Sequence, residues 1–504
     1  MKIKFLFYTL VSAGLILLST SCNKSFLIVQ PIALSLESNY YQTPDQAFNG
    51  LVAIYDAVAP EAGYGINWYA NKLGPLNSAA DECYAGGGSS TDMQSYQDWS
   101  NNNLSAATGP SQMFWDMDYA GVYRANLLLS KLVNPIPGLS TDLQNRYVAE
   151  AKVLRAYFYF ELERLFANIP LIITPLPTTD IYTVLQAKPA DVYAQIEKDL
   201  TEAVPSLPAT VATAEDGRIT SGAANAMLGK VYLYEKKWSD AASTLNKVNN
   251  SGVYSLLPNY SDIFSPAHKF NSESIFEIVH TNAQSSWWGP SDFRGNVYCT
   301  MVGPRSYSAG NGKEDKNHIY YSGWSFNPII KAFAASMHSD PRYNATVTDL
   351  DSLVSIGQAA YQAGYMNTGL FEQKWCAQLQ WLAPTGQDVL NWPNDVIEIR
   401  LADTYLMEAE ASVQAGVTAR AQTLLDAVRA RVGLPSIPAT LNNIYEERRL
   451  ELATEGHRWF DLVRTGRAAT VLASKGFKAG TNEILPIPLT SMNNTKLVQN
   501  PGYN

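Results

Sequence analysis

Residues 225 to 248, NAMLGKVYLYEKKWSDAASTLNKV, carry apolar positions at helical spacing in two successive runs. Leu228, Gly229 and Tyr232 mark the first run, and Ala241 and Leu245 the second. This spacing predicts a helix hairpin in which small residues allow two helices to approach closely while Tyr and Leu fill the seam. A second copy lies in RLADTYLMEAEASVQAGVTARAQTLLDAV, residues 400 to 428, where Ala409, Ala421 and Leu425 keep the spacing. Amphipathic helical patterns also run through QMFWDMDYAGVYRANLLLSKL, LQNRYVAEAKVLRAYFYFELERLF and PADVYAQIEKDLTEAV.

Leu-Gly-x-x-Tyr followed by Ala-x-x-x-Leu matches a tetratricopeptide repeat, with Leu at the usual Phe position. Such a repeat buries its apolar face only against neighbours, so the other helical stretches are expected to stack with it. The fold class is therefore mainly α, a tetratricopeptide-like helical repeat scaffold. Residues 250–394 read differently, being rich in Gly, Asn, Ser and aromatics and poor in helical periodicity. They hold Trp287, Trp288, Trp324, Trp375, Trp381 and Trp392, six of the eleven tryptophans. A large loop-rich, aromatic-rich insertion on a rigid scaffold is where binding groups sit, because scaffold side chains are committed to packing. The competing role for these tryptophans is an aromatic core that holds the loops together, and half of them are assigned to it. The layout is then a helical scaffold over about 40–250 and 395–465, the insertion over about 250–394 and a C-terminal tail over 466–504.

At the amino terminus Lys2 and Lys4 precede an apolar run from Phe5 to Leu18 and the sequence STSC ending at Cys22. This pattern is a secretory signal peptide over residues 1–21, too short to span a bilayer, which takes roughly 20 apolar residues. The small residues before Cys22 resemble a bacterial lipobox, although its usual Leu is displaced by one position to Leu18. Cys22 is thus the expected lipidation site, and acyl chains the only membrane attachment of residues 22–504. A hydrophobic content of 46% allows a substantial core, and a net charge of −9 without basic blocks argues against a nucleic-acid partner. Cys83, Cys299 and Cys376 are scattered without CxxC spacing, so they are read as small core residues rather than a metal cluster.

The stretch YEERRLELATEGHRWFDLVRTGR, residues 445–467, invites a catalytic reading because carboxylates and imidazole carry protons and bind metals. Its charges pair at helical spacing instead: Glu446 with Arg449, Arg448 with Glu451, and Asp461 with Arg458 and Arg464. Trp459, Leu462 and Val463 form an apolar stripe, and His457 has no second His or Cys at ligand spacing. An ion-paired helix with a buried Trp is scaffold.

The same stretch resembles the carboxy-terminal signature of the SusD/RagB family, surface lipoproteins of nutrient-uptake systems in Bacteroidota. IRLADTYLMEAEA and LLDAVRARVGLP resemble the family's last repeat, SDPRYNATV its mid-chain segment, EILPIPLTSMNNTKLVQNPGYN its ending, and SFLIVQP the segment after the lipobox. The resemblance covers essentially the whole chain and implies one SusD-like domain over residues 22–504. It also implies a lipoprotein of the outer membrane, facing the cell exterior, that captures an oligosaccharide, or in some members a peptide. The implied partner is a SusC-like TonB-dependent transporter; no catalytic residue, cofactor or metal is implied.

The chain contains no GxxxxGK[ST], HExxH, GxSxG or EF-hand motif, and AGGGSSTD at 85–92 reads as a flexible loop. Two other classes stay open: an exported glycosidase, which needs two carboxylates roughly 5 to 10 Å apart, and a structural repeat adaptor. For a ligand face, Trp99 stands in the Asn-rich run YQDWSNNN, and SSWWGPSDFRGNVY places Trp287 and Trp288 before Arg294 and Tyr298. Family members hold ligand with aromatic and polar groups from these two regions. The resemblance therefore selects Asp81, Trp99, Asn101, Trp287, Trp288, Arg294, Tyr298 and Trp324 as candidate ligand-binding residues.

Overall fold

The computed structural model describes residues 40–59, 71–283, 294–309 and 319–503. Its longer helices are α1 (Pro44–Asp56), α2 (Leu73–Ala79), α3 (Gln94–Ser100), α4 (Ser111–Lys131), α5 (Thr141–Phe166), α6 (Pro189–Ala203), α7 (Ser221–Tyr234), α8 (Trp238–Asn249), α9 (Leu401–Gln414), α10 (Thr418–Arg431), α11 (Leu441–Glu451) and α12 (Arg458–Arg464). The hairpin expected at 225–248 is α7 and α8. Thr220 starts it by accepting the Ala223 N–H at 3.2 Å, one of the amides a helix N-terminus leaves unpaired. A Cβ on Gly229 would lie 2.5 Å from Leu245, so glycine at that position is what lets the two helices touch. The hairpin expected at 400–428 is α9 and α10, with Ala409, Ala421 and Leu425 fully buried.

The two hairpins are far apart in sequence and adjacent in space: α8 packs directly on α9, so the stack continues across the insertion. On its other side α4, α5 and α6 pack in succession. Nearly every residue of α5 from Tyr147 onward is buried, as expected for a helix surrounded by others. Its charges are matched by neighbours, for example Arg155, which grips Asp199 with two bonds of 2.7 and 2.8 Å.

The insertion leaves and returns through an antiparallel pair, β1 (Ser274–Ile278) with β6 (Val396–Arg400). Between them β2 (Arg305–Ala309) pairs with β4 (Ala359–Gln362), and β3 (Val347–Asp349) with β5 (Leu370–Glu372). Helices here are six residues or shorter among the described residues. Trp375 and Trp392 are core, their indole N–H groups donating to the Thr454 carbonyl and to Thr300 Oγ1. Trp324 and Trp381 are half-buried. Cys83, Cys299 and Cys376 are buried free thiols.

A buried charge cluster joins insertion and scaffold. Arg400, at the end of β6, bonds Glu273 at 2.8 Å, Glu451 at 2.6 Å and Glu455 at 2.8 Å. Arg342 of the insertion bonds Glu447 at 2.7 Å and Glu451 at 2.8 Å, and Arg431 of α10 bonds Glu451 as well. Three guanidinium groups thus hold the Glu451 carboxyl below its ordinary range against the opposing, and largest, effect of burial. The pairing expected for residues 445–467 therefore needs correction. Glu446–Arg449 and Asp461–Arg464 form, but Arg448 reaches Asp403 and Asp461, and Arg458 reaches Asp81. The reason is burial: a charged group in the interior must find its partner wherever packing places one, and neighbours on the same helix are only one choice.

Truncating one member of a buried pair leaves the others charged and unmatched, at a cost of about 3–5 kcal/mol. Arg400→Ala is expected to lose that much in chemical denaturation. Lys198→Ala, which removes the exposed pair with Glu202, is expected to lose less than about 1 kcal/mol.

Candidate functional site

Four of the sequence-selected residues on described segments serve the scaffold or lie beside it. Trp99 is 0% exposed, with its ring 5.2 Å from Trp459 and 5.9 Å from Phe114 in edge-on contacts. A ring with no exposed surface offers no sugar platform: α3 turns Tyr96 toward Phe326 of the insertion and Trp99 toward the helices. Tyr298 is also 0% exposed; its hydroxyl donates to Glu372 at 2.9 Å and accepts from Asn77 at 3.1 Å. Asp81 is held by Arg458 and Arg449 at 2.7 and 3.0 Å, and Arg458 first among the charged neighbours keeps its carboxyl ionised against burial. Asn101 is exposed, on the C-terminal side of α3 beside Gly476 of the tail. Arg294 is exposed, and its carbonyl accepts the Thr281 N–H at 2.9 Å. Trp287, Trp288 and Cys22 lie outside the described residues.

Trp324 stands in a different setting. Its carbonyl accepts from Arg305 at 2.9 Å, and Arg305 faces Asp92 at 3.9 Å. The 85–92 segment that reads as a flexible loop is tied down: Gly87 N–H donates to Ser325, Gly87 C=O accepts from Tyr365, and Gly88 N–H donates to Asp92 Oδ2 at 2.7 Å. Gly86 and Gly87 have φ of 68° and 88°, which only glycine adopts without strain. Five residues other than glycine with positive φ, Met93, Ser306, Ser325, Asn327 and Met366, cluster on the same segments. Strain of this kind persists where surrounding structure over-determines the backbone, and it concentrates at ligand-binding sites. These segments bring together the half-buried Trp324, packed against the Tyr96 and Phe326 cluster, the Arg305 guanidinium, the Asp92 carboxylate, and the side chains of Ser306 and Gln362, which bond each other at 3.3 Å. Such a set can stack on a sugar ring and bond its hydroxyls.

Two carboxyls raised by burial are sealed from substrate. Burial raises Glu82 to about 7 and Glu372 to about 8, values a general acid could use. The two are 1% and 0% exposed, Glu82 accepting the Thr454 N–H after α11 and Glu372 accepting from Asn77 of α2 and from Tyr298, so neither can meet a substrate. Burial pushes the His457 imidazole down to about 4, leaving it neutral, and no group of metal-binding side chains forms among the described residues.

Two family models match the chain, one described as SusD family over residues 316–503 and one described as starch-binding associating with outer membrane over residues 53–233. A solved structure described as a laminarin binding SusD-like protein is 46% identical, covers 92% of this chain and 100% of its own, and superposes with a TM-score of 0.87. The chain belongs to the SusD/RagB family. A further SusD-family structure, surface glycan-binding protein A from Bacteroides thetaiotaomicron in complex with laminarihexaose, is 26% identical over 91% of this chain and 99% of its own, with a TM-score of 0.81. A SusD-like protein of Formosa agariphila is 24% identical over 536 residues, 96% of each chain. The helical repeat scaffold is thus the SusD fold.

Sequence reasoning passed over Arg305, Asp92 and Tyr365. The three consecutive glycines at 86–88 were the available signal, since a tight turn there must be supported by whatever it contacts. The pH dependence of stability follows from Glu372. Its folded pKa is raised from 4.5 to about 8, so its contribution is whole below 4.5 and is lost as pH rises through 8. The stability difference between wild type and Glu372→Gln, followed by denaturant melts from pH 4.5 to 8.5, should shift in favour of the variant as pH rises.

Proposed function

We propose that this protein is a cell-surface glycan-binding lipoprotein that captures a neutral glycan of the laminarin type and delivers it, without cleaving it, to a SusC-like TonB-dependent transporter. The observation that carries the reading is the 46% identity, over the full length of that chain, to a laminarin binding SusD-like protein. The Trp324 face, with Arg305 and Asp92, is the part of the described surface whose chemistry suits the role. Lipid at Cys22 tethers a single SusD-like domain to the outer membrane, on its outer side, and holds the domain at high effective concentration beside its transporter. No described helix is long and apolar enough to cross a membrane.

Calorimetric titration of the acyl-free chain with laminarihexaose is expected to give saturable binding, with no new reducing ends after prolonged incubation. Covering the open part of the Trp324 ring, roughly 50 Å² at about 25 cal/mol per Å², contributes about 1.3 kcal/mol. Trp324→Ala should therefore bind nearly tenfold more weakly while still folded at the titration temperature, checked by its unfolding transition. Absence of laminarihexaose binding by the wild-type chain would refute the reading.

Cys22→Ala, expressed with its signal peptide, should leave the membrane fraction and appear in the soluble fraction on immunoblots. Retention with the membrane would place the anchor elsewhere.

A further inference from the structure

The insertion holds a pocket of about 230 Å³ that shares no lining residue with the Trp324 face. Its walls include the rings of Phe264 and Trp381 and the amides of Gln373, Gln378, Gln380 and Asn394. The rings are fixed. Phe264 lies edge-on to Trp375 and 4.5 Å from the Lys374 ammonium, while Trp381 is held through its backbone, donating to Gln378 and accepting from Asn282 at 2.9 Å each.

The amides of the lining are only partly spent on protein partners. Gln373 Oε1 accepts from the Tyr320 hydroxyl at 2.6 Å and from Thr348, which fixes the amide and leaves its NH₂ without a partner among the described residues. Gln380 donates to Gln378 at 2.7 Å, which frees the Gln378 NH₂. Asn394 is 8% exposed, yet its side-chain amide has no partner among the described residues and lines the pocket. None of these unpaired amide atoms is sealed from solvent, so water or a ligand in the pocket can bond them. Water is the default occupant, but the fixed Trp381 ring and a space of several water volumes provide for more.

The lining also selects the charge of its guest. Its charged groups are Asp262, engaged with Asn259 at 2.9 Å, and Lys374, whose ammonium is spent on the Ala453 carbonyl and on Glu455 at 2.7 Å each. Among the described residues the lining presents no free cation to an anionic ligand. The volume is below the roughly 300–1,000 Å³ of pockets for drug-sized ligands, so it suits one ring or a chain end rather than an oligosaccharide laid flat.

We propose that this amide-lined pocket, walled by Trp381 and Asn394, is a second carbohydrate site that takes a single ring or terminal unit of a neutral sugar. Its ligand class is read from the lining and does not depend on the Trp324 face being the main site. The test uses the acyl-free chain with glucose, laminaribiose, cellobiose and a capped tripeptide at millimolar concentration, followed by saturation-transfer NMR and titration. Wild type should bind at least one of the three sugars, and Trp324→Ala, whose other face is impaired, should retain binding of it. Trp381→Ala should weaken that binding roughly tenfold by loss of the stacking surface, and Asn394→Leu roughly fivefold by loss of one neutral hydrogen bond. Because the Asn394 amide bonds no protein group, Asn394→Leu should not lower the unfolding midpoint; a purely structural amide would lower it. No binding of any of the three sugars to wild type, equal binding by the Trp381 and Asn394 variants, or preference for the tripeptide would each overturn the proposal. Failure of glycan capture at the Trp324 face would show separately, as loss of laminarihexaose binding by wild type.

Discussion

Glu451, fully buried and in contact with three arginines from three parts of the chain, is the constraint around which the molecule is organised. Arg342 brings the middle of the insertion to it, Arg400 the strand on which the insertion returns, and Arg431 the last repeat. An isolated carboxylate could not be buried there, and neither could any of the arginines. The cluster forms only when scaffold and insertion are both in place, so it ties the irregular half of the protein to the regular half more firmly than an apolar contact, which tolerates sliding. That arrangement explains why a stretch with the residues of an active site has no catalytic geometry: each acid meets a cationic partner, and four of its five arginines are ion-paired.

With the insertion anchored at its base, its outer segments can hold conformations that would not survive alone. The left-handed residues at Met93, Ser306, Ser325, Asn327 and Met366 are fastened by hydrogen bonds running from the 85–92 turn to the strands beside Trp324. Rigidity of this kind lowers the ordering cost of binding a flexible glycan. The same logic applies to the amide pocket, where Tyr320 and Thr348 fix one glutamine and packing fixes the two rings.

The SusD fold thus divides its labour along chemical lines. Helix hairpins bury Leu, Ala and Tyr and commit their side chains to packing, whereas the insertion divides its aromatics between sealed and part-exposed positions. Trp375 and Trp392 hold the loops from inside, with their N–H groups satisfied. Trp324 and Trp381 are half-buried at the edge of that core.

What the sequence by itself determined was everything that depends on near neighbours. The 3.6-residue period placed the α7–α8 and α9–α10 hairpins, Gly229 marked their close approach, and the absence of such a period marked the insertion. Those signals are local because helix formation and hairpin packing are decided within a few turns of chain. The burial of a given tryptophan is not local. Trp99 looked open in an Asn-rich run and is sealed by Trp459 from the far end of the chain, and Tyr298 is sealed through Glu372. Arg448 and Arg458 likewise passed over their helix neighbours for Asp403 and Asp81. Only the tertiary structure could decide these, because exposure and charge pairing are sums over contacts from segments whose distance in sequence carries no information about their distance in space.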